Sequence, residues 1–160
     1  MKPSLYILLP IFFIICNSSG LAKPPGEYQP PENMETITVN FHFYVFHPCG
    51  DEAFEYIPIE VPGEKWREKI LQLMPQYSGI YIRDLWYEGT RLFVDLYAAQ
   101  AAAFNMGSFW GYVLTAVLVE TMKSLPYTEE ILILVEGQPG HSGDHFNFAR
   151  IFQTTPPRLP

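Results

Sequence analysis

The strongest constraint on the fold is a segment, residues 109–124, that is apolar on almost every side of the helix it predicts. A helix of this kind is buried on more than one side, or it offers part of its surface to a partner. Ser108 or Asn105 is the predicted N-terminal cap, and Pro126 stops the helix. The apolar side chains are Phe109, Trp110, Tyr112, Val113, Leu114, Ala116, Val117, Leu118, Val119 and Met122. The helix therefore lies centrally over a sheet or presents one part to a partner.

Several strands are predicted to supply this sheet. Residues 36–47 alternate between an apolar and a mixed face, which is typical of a strand with one buried side. A second strand is predicted at 54–61, where Pro58 favours an edge position because proline cannot donate a ladder hydrogen bond. Residues 131–136 form the most apolar strand, which we expect at the centre, and 145–152 add a short last strand. The buried face of the first strand consists of Ile37, Val39, Phe41, Phe43 and Val45.

Another hairpin and another helix complete the predicted order. Residues 81–87 and 91–97 predict a hairpin with Gly89 in its turn. A first helix follows the second strand and should end at about Met74, before Pro75. The order is then β-β-α-β-β-α-β, with an alanine-rich stretch of helix or loop before the second helix. We therefore predict an α+β fold, with a mixed or antiparallel sheet and two helices packed on one face.

The N-terminus predicts an export signal. An apolar run at 5–16 follows Lys2 and is shorter than the about 20 residues that a bilayer-spanning helix needs. Small residues predict cleavage after Ala22. Lipidation at Cys16 is an alternative that the preceding Ile15 disfavours, and a retained anchor is a third. All three place the protein outside the cytoplasmic membrane.

The rest of the chain divides by composition. We predict a signal peptide at 1–22, a proline-rich linker at 23–35, a folded domain at 36–152 and a flexible tail at 153–160. The formal net charge is −7, with no basic patch, which argues against nucleic acid as a partner. Contact with a membrane is expected only through an N-terminal anchor.

Cysteine and histidine form two clusters that could carry chemistry. With two cysteines in the chain, a disulfide-stapled mini-domain is excluded, and Cys49 is a lone thiol once the signal is removed. The first cluster lies within one predicted turn and consists of His47, Cys49, Asp51 and Glu52. Neighbouring residues of one turn rarely have the geometry that activates a thiol, so we interpret them as turn-forming residues and not as a catalytic site. His42 is interpreted as a residue on the strand surface.

The second cluster is His141-Ser142-Gly143-Asp144-His145. Two histidines and a carboxylate could ligate a metal, which gives the hypothesis of a metal-dependent hydrolase centred on His141 and His145. The segment is interrupted by glycines and follows Pro139, so it is predicted as a loop rather than the helix that such sites use. A solvated turn is therefore the favoured interpretation.

Paired carboxylates do not indicate acid–base chemistry here. Asp84 and Asp95 lie on one predicted hairpin with Arg83 and Arg91 nearby, and nearby arginines lower the pKa of a carboxyl group. Cross-strand ion pairs are the favoured interpretation. We predict no catalytic residues, no metal ligands and no cofactor.

Aromatic side chains offer a different kind of function. Some of the aromatic residues on the predicted hairpin could stack on sugars or contact a protein. These candidates are Tyr81, Trp86, Tyr87, Phe93 and Tyr97.

One pattern across the chain resembles a known family. It comprises the Val-Asp-Leu strand at 94–96, a helix ending in Val-Glu-Thr at 119–121, ILILVEGQPG at 131–140 and GDHFNF at 143–148. Together these are similar to the GerMN (GerM) domain of sporulation and spore germination proteins, and the resemblance covers 36–152. The sequence departs from the family at the residue after Leu96, where Tyr97 replaces serine.

The resemblance implies a non-catalytic, exported module of a bacterial cell envelope, similar in fold to the ring-building domains of secretion-like assemblies. Its implied role is protein interaction or assembly during sporulation or germination, with an envelope protein or a second copy as partner. Two alternatives stay open. One is a module that binds cell-wall glycan (peptidoglycan) through exposed aromatic side chains. The other is the metal-dependent hydrolase described above.

Overall fold

The computed structural model describes residues 31–46 and 52–154. Within these residues the strands are β1 (Thr36–Phe46), β2 (Glu52–Pro62), β3 (Ile82–Glu88), β4 (Arg91–Leu96), β5 (Glu130–Val135) and β6 (Phe152–Gln153). The α-helices are α1 (Trp66–Ser78), α2 (Ala98–Ala103) and α3 (Ser108–Lys123), and short 3-10 turns lie at Pro31–Asn33 and Gly63–Lys65.

The strands form two sheets. The antiparallel pair of β1 and β2 is called the ribbon below, and the second sheet has the order β3-β4-β5-β6. In the second sheet β4 and β5 are parallel, whereas the other neighbours are antiparallel. The predicted α+β class is confirmed, and β5 is an interior strand as expected. The described strands form two sheets rather than one, and the alanine-rich stretch forms a short third helix.

The ribbon stays separate because α3 occupies the free edge of β1. The N–H of Asn40 donates to Ser124 Oγ at 2.9 Å, and the N–H of His42 donates to Thr121 Oγ1 at 3.0 Å. These backbone donors therefore bond to side chains of Thr121 in the last turn of α3 and of Ser124 directly after it, where another strand would otherwise pair. Periodicity along β1 does not indicate which neighbour satisfies its edge, so the sequence did not predict this arrangement.

One hydrophobic core joins both sheets through the helices. Helices α1 and α3 each contact β1 and one strand of the second sheet. The core includes the predicted face of β1 at Ile37, Val39 and Phe41, whereas Phe43 and Val45 are only half-buried. Core side chains from the second sheet include Leu92, Val94, Leu96, Ile131, Ile133 and Val135.

Helix α3 is covered over only part of its length. Its C-terminal part buries Val113, Val117, Leu118, Val119, Thr121 and Met122. Its first turn, in contrast, leaves Phe109 and Trp110 each 41% exposed. The prediction of a helix buried on more than one side therefore holds for the C-terminal part and not for the first turn.

Two predicted helix ends are wrong. Helix α1 continues past Pro75 to Ser78 and ends at Gly79, whose φ of 69° is left-handed. Proline in the last turn removes one hydrogen bond, and the turn closes because the N–H of Gly79 donates to the carbonyl of Pro75 at 3.1 Å.

At the start of α3 the residue before the helix is Gly107, and neither predicted cap residue caps the helix with its side chain. Both candidates instead bind one histidine. Ser108 Oγ lies 2.9 Å from His145 Nδ1, and Asn105 Oδ1 accepts the N–H of His145 at 3.2 Å.

Several sequence predictions lie outside the described residues. They are the signal peptide at 1–22, the linker up to residue 30, the turn at 47–51 that holds Cys49, and the tail from residue 155. Residues 31–35 of the predicted linker contact the 3-10 turn before α1, where the N–H of Gly63 donates to the carbonyl of Glu35 at 3.2 Å. Within the described ranges, no helix has the length and hydropathy needed to span a membrane.

His42 lies on the ribbon surface as predicted, and its ring is partly buried. Burial lowers the pKa of His42 from its ordinary value, against the opposing effects of the Asn40 carbonyl and Glu120. A lowered pKa means that the unfolded chain binds the proton more readily than the folded chain. The contribution of the neutral His42 ring to the free energy of unfolding is therefore complete above the ordinary pKa of 6.5. It is lost as the pH falls through the lowered pKa of the folded protein.

We expect acidification from about pH 7.5 to about pH 5 to lower the urea midpoint more in the wild type than in His42→Gln. The variant removes the titrating group, so the other acid-sensitive groups act equally in both proteins. Equal losses of stability in the two proteins would show that His42 titrates alike in the folded and unfolded states.

Candidate interaction surface

Aromatic side chains from three elements meet at one end of the molecule. Tyr44 and Phe46 come from β1, Phe54 from β2, and Phe109, Trp110 and Tyr112 from the first turns of α3; these six residues are called the aromatic cluster. The ring centroid of Tyr44 lies 4.9 Å from Phe46, 5.3 Å from Phe54 and 5.5 Å from Phe109.

Most ring pairs in the cluster meet edge to face. Phe46 and Trp110 are 6.0 Å apart at 65°, and Phe54 and Tyr112 are 6.2 Å apart at 76°. Aromatic pairs favour such tilted geometries because the positive edge of one ring meets the negative face of another. The contacts therefore hold the rings in a preformed surface.

The cluster is widely exposed to solvent. Phe46 is 57% exposed, Phe54 42% and Tyr112 64%, and the two first-turn residues of α3 are 41% each. At about 200 Å² for an aromatic side chain, these five residues expose about 500 Å². Monomeric proteins rarely expose larger contiguous apolar patches than this, and such patches are often functional.

Charge is distributed unevenly around this surface. Residues 108–119 of α3 contain no charged side chain. In the sequence, residues 36–62 contain four acidic residues and neither lysine nor arginine. The part of the sequence that supplies Tyr44, Phe46 and Phe54 is therefore acidic in composition.

Gly111 lets a neighbouring loop pack against the first turns of α3. A Cβ at this position would lie 2.2 Å from the carbonyl oxygen of His145 and 2.5 Å from that of Phe104. Only glycine permits this approach of two backbone segments. The loop therefore covers one side of the helix start, while Phe109 and Trp110 remain exposed.

The predicted metal segment lies beside this loop contact. An open cleft of about 450 Å³ is lined by Ser108, Tyr112, Thr115, Asp144, His145 and Arg150, among others. His145 contacts Ser108, whereas the ring of His141 stacks on Phe146 at 5.7 Å, so the two histidines have different partners. Among residues 31–46 and 52–154, no three His, Cys, Asp or Glu side chains are grouped as a metal site.

The predicted cross-strand ion pairing is found for Asp95 and not for Asp84. Asp95 is 1% exposed and accepts from Arg83 Nε at 2.7 Å and from the N–H of Gly137 at 2.9 Å. Asp84 pairs with Arg67 of α1, so its ion pair joins a strand to a helix and not two strands. The two carboxylates thus have separate cationic partners, and the arrangement acts structurally at the ends of β4 and β5.

Arg91 pairs instead with the neighbouring strand. Its Nε donates to Glu130 Oε2 at 2.7 Å. Hydrogen bonds from Gln153 and Arg91 lower the pKa of Glu130, and the hydrogen bond to Asp95 raises the pKa of Arg83. Both effects favour the charged forms, as expected for structural ion pairs.

The aromatic candidates from the sequence have different environments. Tyr81 and Tyr97 are exposed, and Trp86 stacks on Phe93 at 5.2 Å with an interplanar angle of 4°. Tyr87 is different, because its hydroxyl lies 2.6 Å from Thr128 Oγ1 and its ring contacts a core tryptophan. Of the five candidates, Tyr87 is therefore the one whose hydroxyl and ring both have partners within the fold.

The main residues of the aromatic cluster were not predicted as a site. The signal available in the sequence was the concentration of aromatic side chains at the end of β1 and the start of β2, together with the apolar first turn of α3. Their meeting depends on how β1 docks along α3, which no local pattern specifies.

Comparisons with known proteins give a distant structural likeness. No family model matches the chain, and no curated protein sequence matches it. A crystal structure of a candidate lipoprotein from Clostridium perfringens is similar at 17% identity and a TM-score of 0.49, covering 76% of this chain and 89% of that chain. A likeness at this level identifies neither a family nor a function, so the GerMN resemblance stays a prediction.

Proposed function

We propose that this protein is an exported, envelope-associated interaction module without catalytic activity, which binds a partner protein through the aromatic cluster. The observation that carries the proposal is the exposure of five clustered aromatic side chains on a surface of about 500 Å². Export rests on the sequence of the first 22 residues, and a role in sporulation or germination rests on the GerMN resemblance alone.

The chemistry of the cluster matches that of protein interfaces. Interface centres are enriched in Trp, Tyr and Phe and depleted of charged residues, and a few aromatic anchors carry most of the binding energy. Trp110 and Phe46 are the best candidate anchors because their rings contact each other and remain exposed. The acidic ribbon beside them favours a partner whose surface is apolar with a basic rim.

A variant at the anchor tests this function. We expect Trp110→Ser to weaken binding of the envelope partner at least tenfold, because a central aromatic anchor contributes more than about 1.4 kcal/mol. The measurement compares recovery of the same partner from envelope extracts on immobilised wild type and variant, followed by titration with the purified partner.

The matched control is Tyr81→Ser, which removes a residue 58% exposed that lies outside the cluster. It should bind like the wild type. Equal binding by Trp110→Ser and the wild type would overturn the proposed surface. Light scattering across a concentration series identifies the kind of partner, since a mass that grows with concentration would make it a second copy.

Glycan binding is the second candidate, favoured by the flat Trp86–Phe93 stack on the second sheet. Such a pair offers a platform of the kind on which sugar rings stack. Peptidoglycan fragments should then quench tryptophan fluorescence in the wild type and not in Trp86→Ala. Unchanged wild-type fluorescence at millimolar fragment would exclude this candidate.

A further inference from the structure

The outer edge of β2 carries its hydrogen-bonding groups on alternate residues. In the antiparallel ribbon, Asn40 faces Pro58 and His42 faces Tyr56. The N–H groups of Asn40 and His42 bond to side chains at the end of α3 rather than to β2. Opposite residues in an antiparallel ladder alternate between bonded and non-bonded pairs, so both of these pairs are non-bonded. The backbone N–H and C=O of Tyr56 therefore point away from β1, as do those of Phe54 by the same alternation.

Pro58 limits the part of this edge that can pair with another strand. Its nitrogen occupies an outward position and has no hydrogen to donate, so an added strand cannot complete a ladder there. The open stretch therefore runs from Glu52, where β2 begins, to Tyr56. Within the described part of the chain, β1 is the one strand that pairs with β2. Phe54 and Tyr56 are 42% and 57% exposed, so this stretch is accessible.

The open stretch is complementary to a second copy of itself. Two antiparallel β2 strands centred on Phe54 would place Phe54 opposite Phe54 and Tyr56 opposite Glu52. The alternation along β2 directs the backbone groups of all three residues outward, so each of these pairs is a bonded pair. Pro58 then lies beyond the described start of the other strand, outside the new ladder.

Pro58 also favours this register over its neighbours. A centre at residue 55 would place Pro58 opposite Glu52, and a centre at Tyr56 would place it opposite Phe54. Either register has a position without an N–H inside the ladder and loses a hydrogen bond there. A centre at residue 53 would instead leave Tyr56 beyond the described start of the other strand.

The distribution of charge is compatible with the register centred on Phe54. In this register residue 52 faces residue 56, and residue 55 faces residue 53. Each acidic position of the open stretch therefore faces an uncharged residue of the second copy. Like charges directly opposite each other destabilise a sheet, and between residues 52 and 56 this pairing has none.

This pairing would bring aromatic rings together at the two-fold axis. Phe54 and Tyr56 lie on the same face of β2, where the Phe54 ring is 5.3 Å from that of Tyr44 and the Tyr56 ring 5.4 Å from that of His42. Opposite side chains in a sheet are about 5 Å apart and diagonal ones about 7–8 Å, which aromatic rings can bridge. Phe54 therefore reaches both Phe54 and Tyr56 of the second copy.

The area of these rings indicates a weak dimer. At about 200 Å² for an aromatic side chain, Phe54 and Tyr56 expose about 200 Å² in each copy, or about 400 Å² in a pair. Stable specific interfaces bury at least about 1,200 Å², and smaller ones are typical of transient contacts. Most of the affinity must then come from the backbone hydrogen bonds, as is usual when a strand is added to a sheet edge.

We infer that two copies of this chain associate reversibly through the outer edge of β2, which pairs antiparallel about Phe54 to form a four-stranded sheet. The two aromatic clusters then adjoin each other, because Phe54 belongs both to the edge and to the cluster. The strand pairing uses no residue of α3, so Trp110 stays available to the envelope partner. The inference therefore goes beyond the proposed function and does not depend on it.

Sedimentation equilibrium across a concentration series tests the inference. We expect the mass of the full chain to rise from one copy towards two between micromolar and millimolar concentration. Tyr56→Pro removes an N–H from the new ladder in both copies, whereas Tyr56→Ala removes the ring and keeps the N–H. We expect Tyr56→Pro to associate at least tenfold more weakly than Tyr56→Ala. A wild type that stays a single copy at millimolar concentration, or equal association by the two variants, would overturn the inference.

The matched control is Glu60→Pro. The N–H of Glu60 also points outward, so this proline removes the same kind of group and leaves the ribbon bonds in place. Residue 60 lies outside the open stretch, so Glu60→Pro should associate like the wild type. An equal loss in both proline variants would mean that association does not depend on residues 52–56, and the inference would be wrong.

Cross-linking tests the register without introducing a proline. The background protein carries Cys16→Ser and Cys49→Ser, so that one thiol is present in each variant. We expect Phe54→Cys to form a disulfide-linked dimer on mild oxidation, because a bonded pair places its Cα atoms about 5.5 Å apart, within the span of a disulfide. Tyr56→Cys should not, since the two thiols would lie four positions, or about 14 Å, apart along the strands. If Phe54→Cys cross-links no faster than Tyr56→Cys, this pairing does not occur.

The inference and the proposed function can fail separately. Trp110→Ser should lose the envelope partner and keep the rise of mass with concentration. If the rise is instead lost in Trp110→Ser and kept in Tyr56→Pro, the second copy binds at the aromatic cluster and the edge pairing is wrong. If Trp110→Ser retains the envelope partner, the proposed aromatic surface is wrong whatever the state of association.

Discussion

Replacing Asp95 by asparagine should lower the free energy of unfolding by about 2 kcal/mol, because the buried carboxylate accepts from a backbone N–H and from Arg83, whose own side chain is 40% exposed. The Asp95 side chain is 1% exposed and bonds to Arg83 Nε at 2.7 Å, to Arg83 Nη2 at 2.5 Å and to the Gly137 N–H at 2.9 Å. A neutral amide cannot satisfy a guanidinium and a backbone donor equally well. Urea unfolding of wild type and variant, with their slopes compared, measures the effect.

The matched control is Asp84→Asn on the adjacent strand. Asp84 also pairs with an arginine, Arg67, but the two side chains are 39% and 53% exposed. Exposed pairs of this kind contribute at most about 1 kcal/mol. A loss of less than 1 kcal/mol in Asp95→Asn, similar to that in the control, would mean that the bonds of the buried Asp95 carboxylate do not hold the ends of β4 and β5 together.

The second large effect is expected for Gly111→Ala. It should lower the free energy of unfolding, whereas replacing glycine by alanine in a helix usually raises it. In an open helix, replacing glycine by alanine stabilises by about 1 kcal/mol. Here the new methyl group would lie 2.2 Å from the His145 carbonyl oxygen and 2.5 Å from the Phe104 carbonyl oxygen. Both obstacles are backbone atoms, which cannot rotate away as a side chain can. We expect a loss of about 3 kcal/mol, measured by thermal or urea unfolding.

Ala116→Gly on the same helix provides the comparison. Its loss should be about 1 kcal/mol, from helix propensity together with the small side chain. A stabilised Gly111→Ala protein would contradict the close contact between α3 and the loop at His145. A destabilised protein that still binds the envelope partner would show that this contact supports the fold rather than the aromatic surface itself.

Local patterns in the sequence predicted most of the elements. Alternation in β1 correctly identified Ile37, Val39 and Phe41 as core residues, because a strand with one buried face imposes a period of two. The strongly apolar stretch at 131–136 was correctly expected inside a sheet. The end of α1 was missed at Pro75, since a proline in the last turn removes only one hydrogen bond and the turn can still close.

The candidate surface was only partly predictable. The apolar character of 109–124 indicated that part of this helix would need a partner, and the structure places the exposed part in its first turn. The sequence could not show that Tyr44 and Phe54 would join that turn, because their contact requires β1 to dock along α3. Nor could it show that Ser108 would bind His145 instead of capping the helix, since the two are 37 positions apart.

The hydrogen bonds between β1 and the end of α3 join segments that are synthesised at different times. The N–H groups of Asn40 and His42 find acceptors that lie 84 and 79 positions later in the chain. At a synthesis rate of about 5–20 residues per second, Ser124 follows Asn40 by roughly 4–17 s. A two-stranded hairpin alone is marginally stable in water. The ribbon segment therefore lacks the packing of α3 on its aromatic side chains until that helix has been synthesised. In the nascent chain the ribbon segment thus emerges well before the helix that covers part of it, so its aromatic side chains are more exposed during synthesis than in the folded protein.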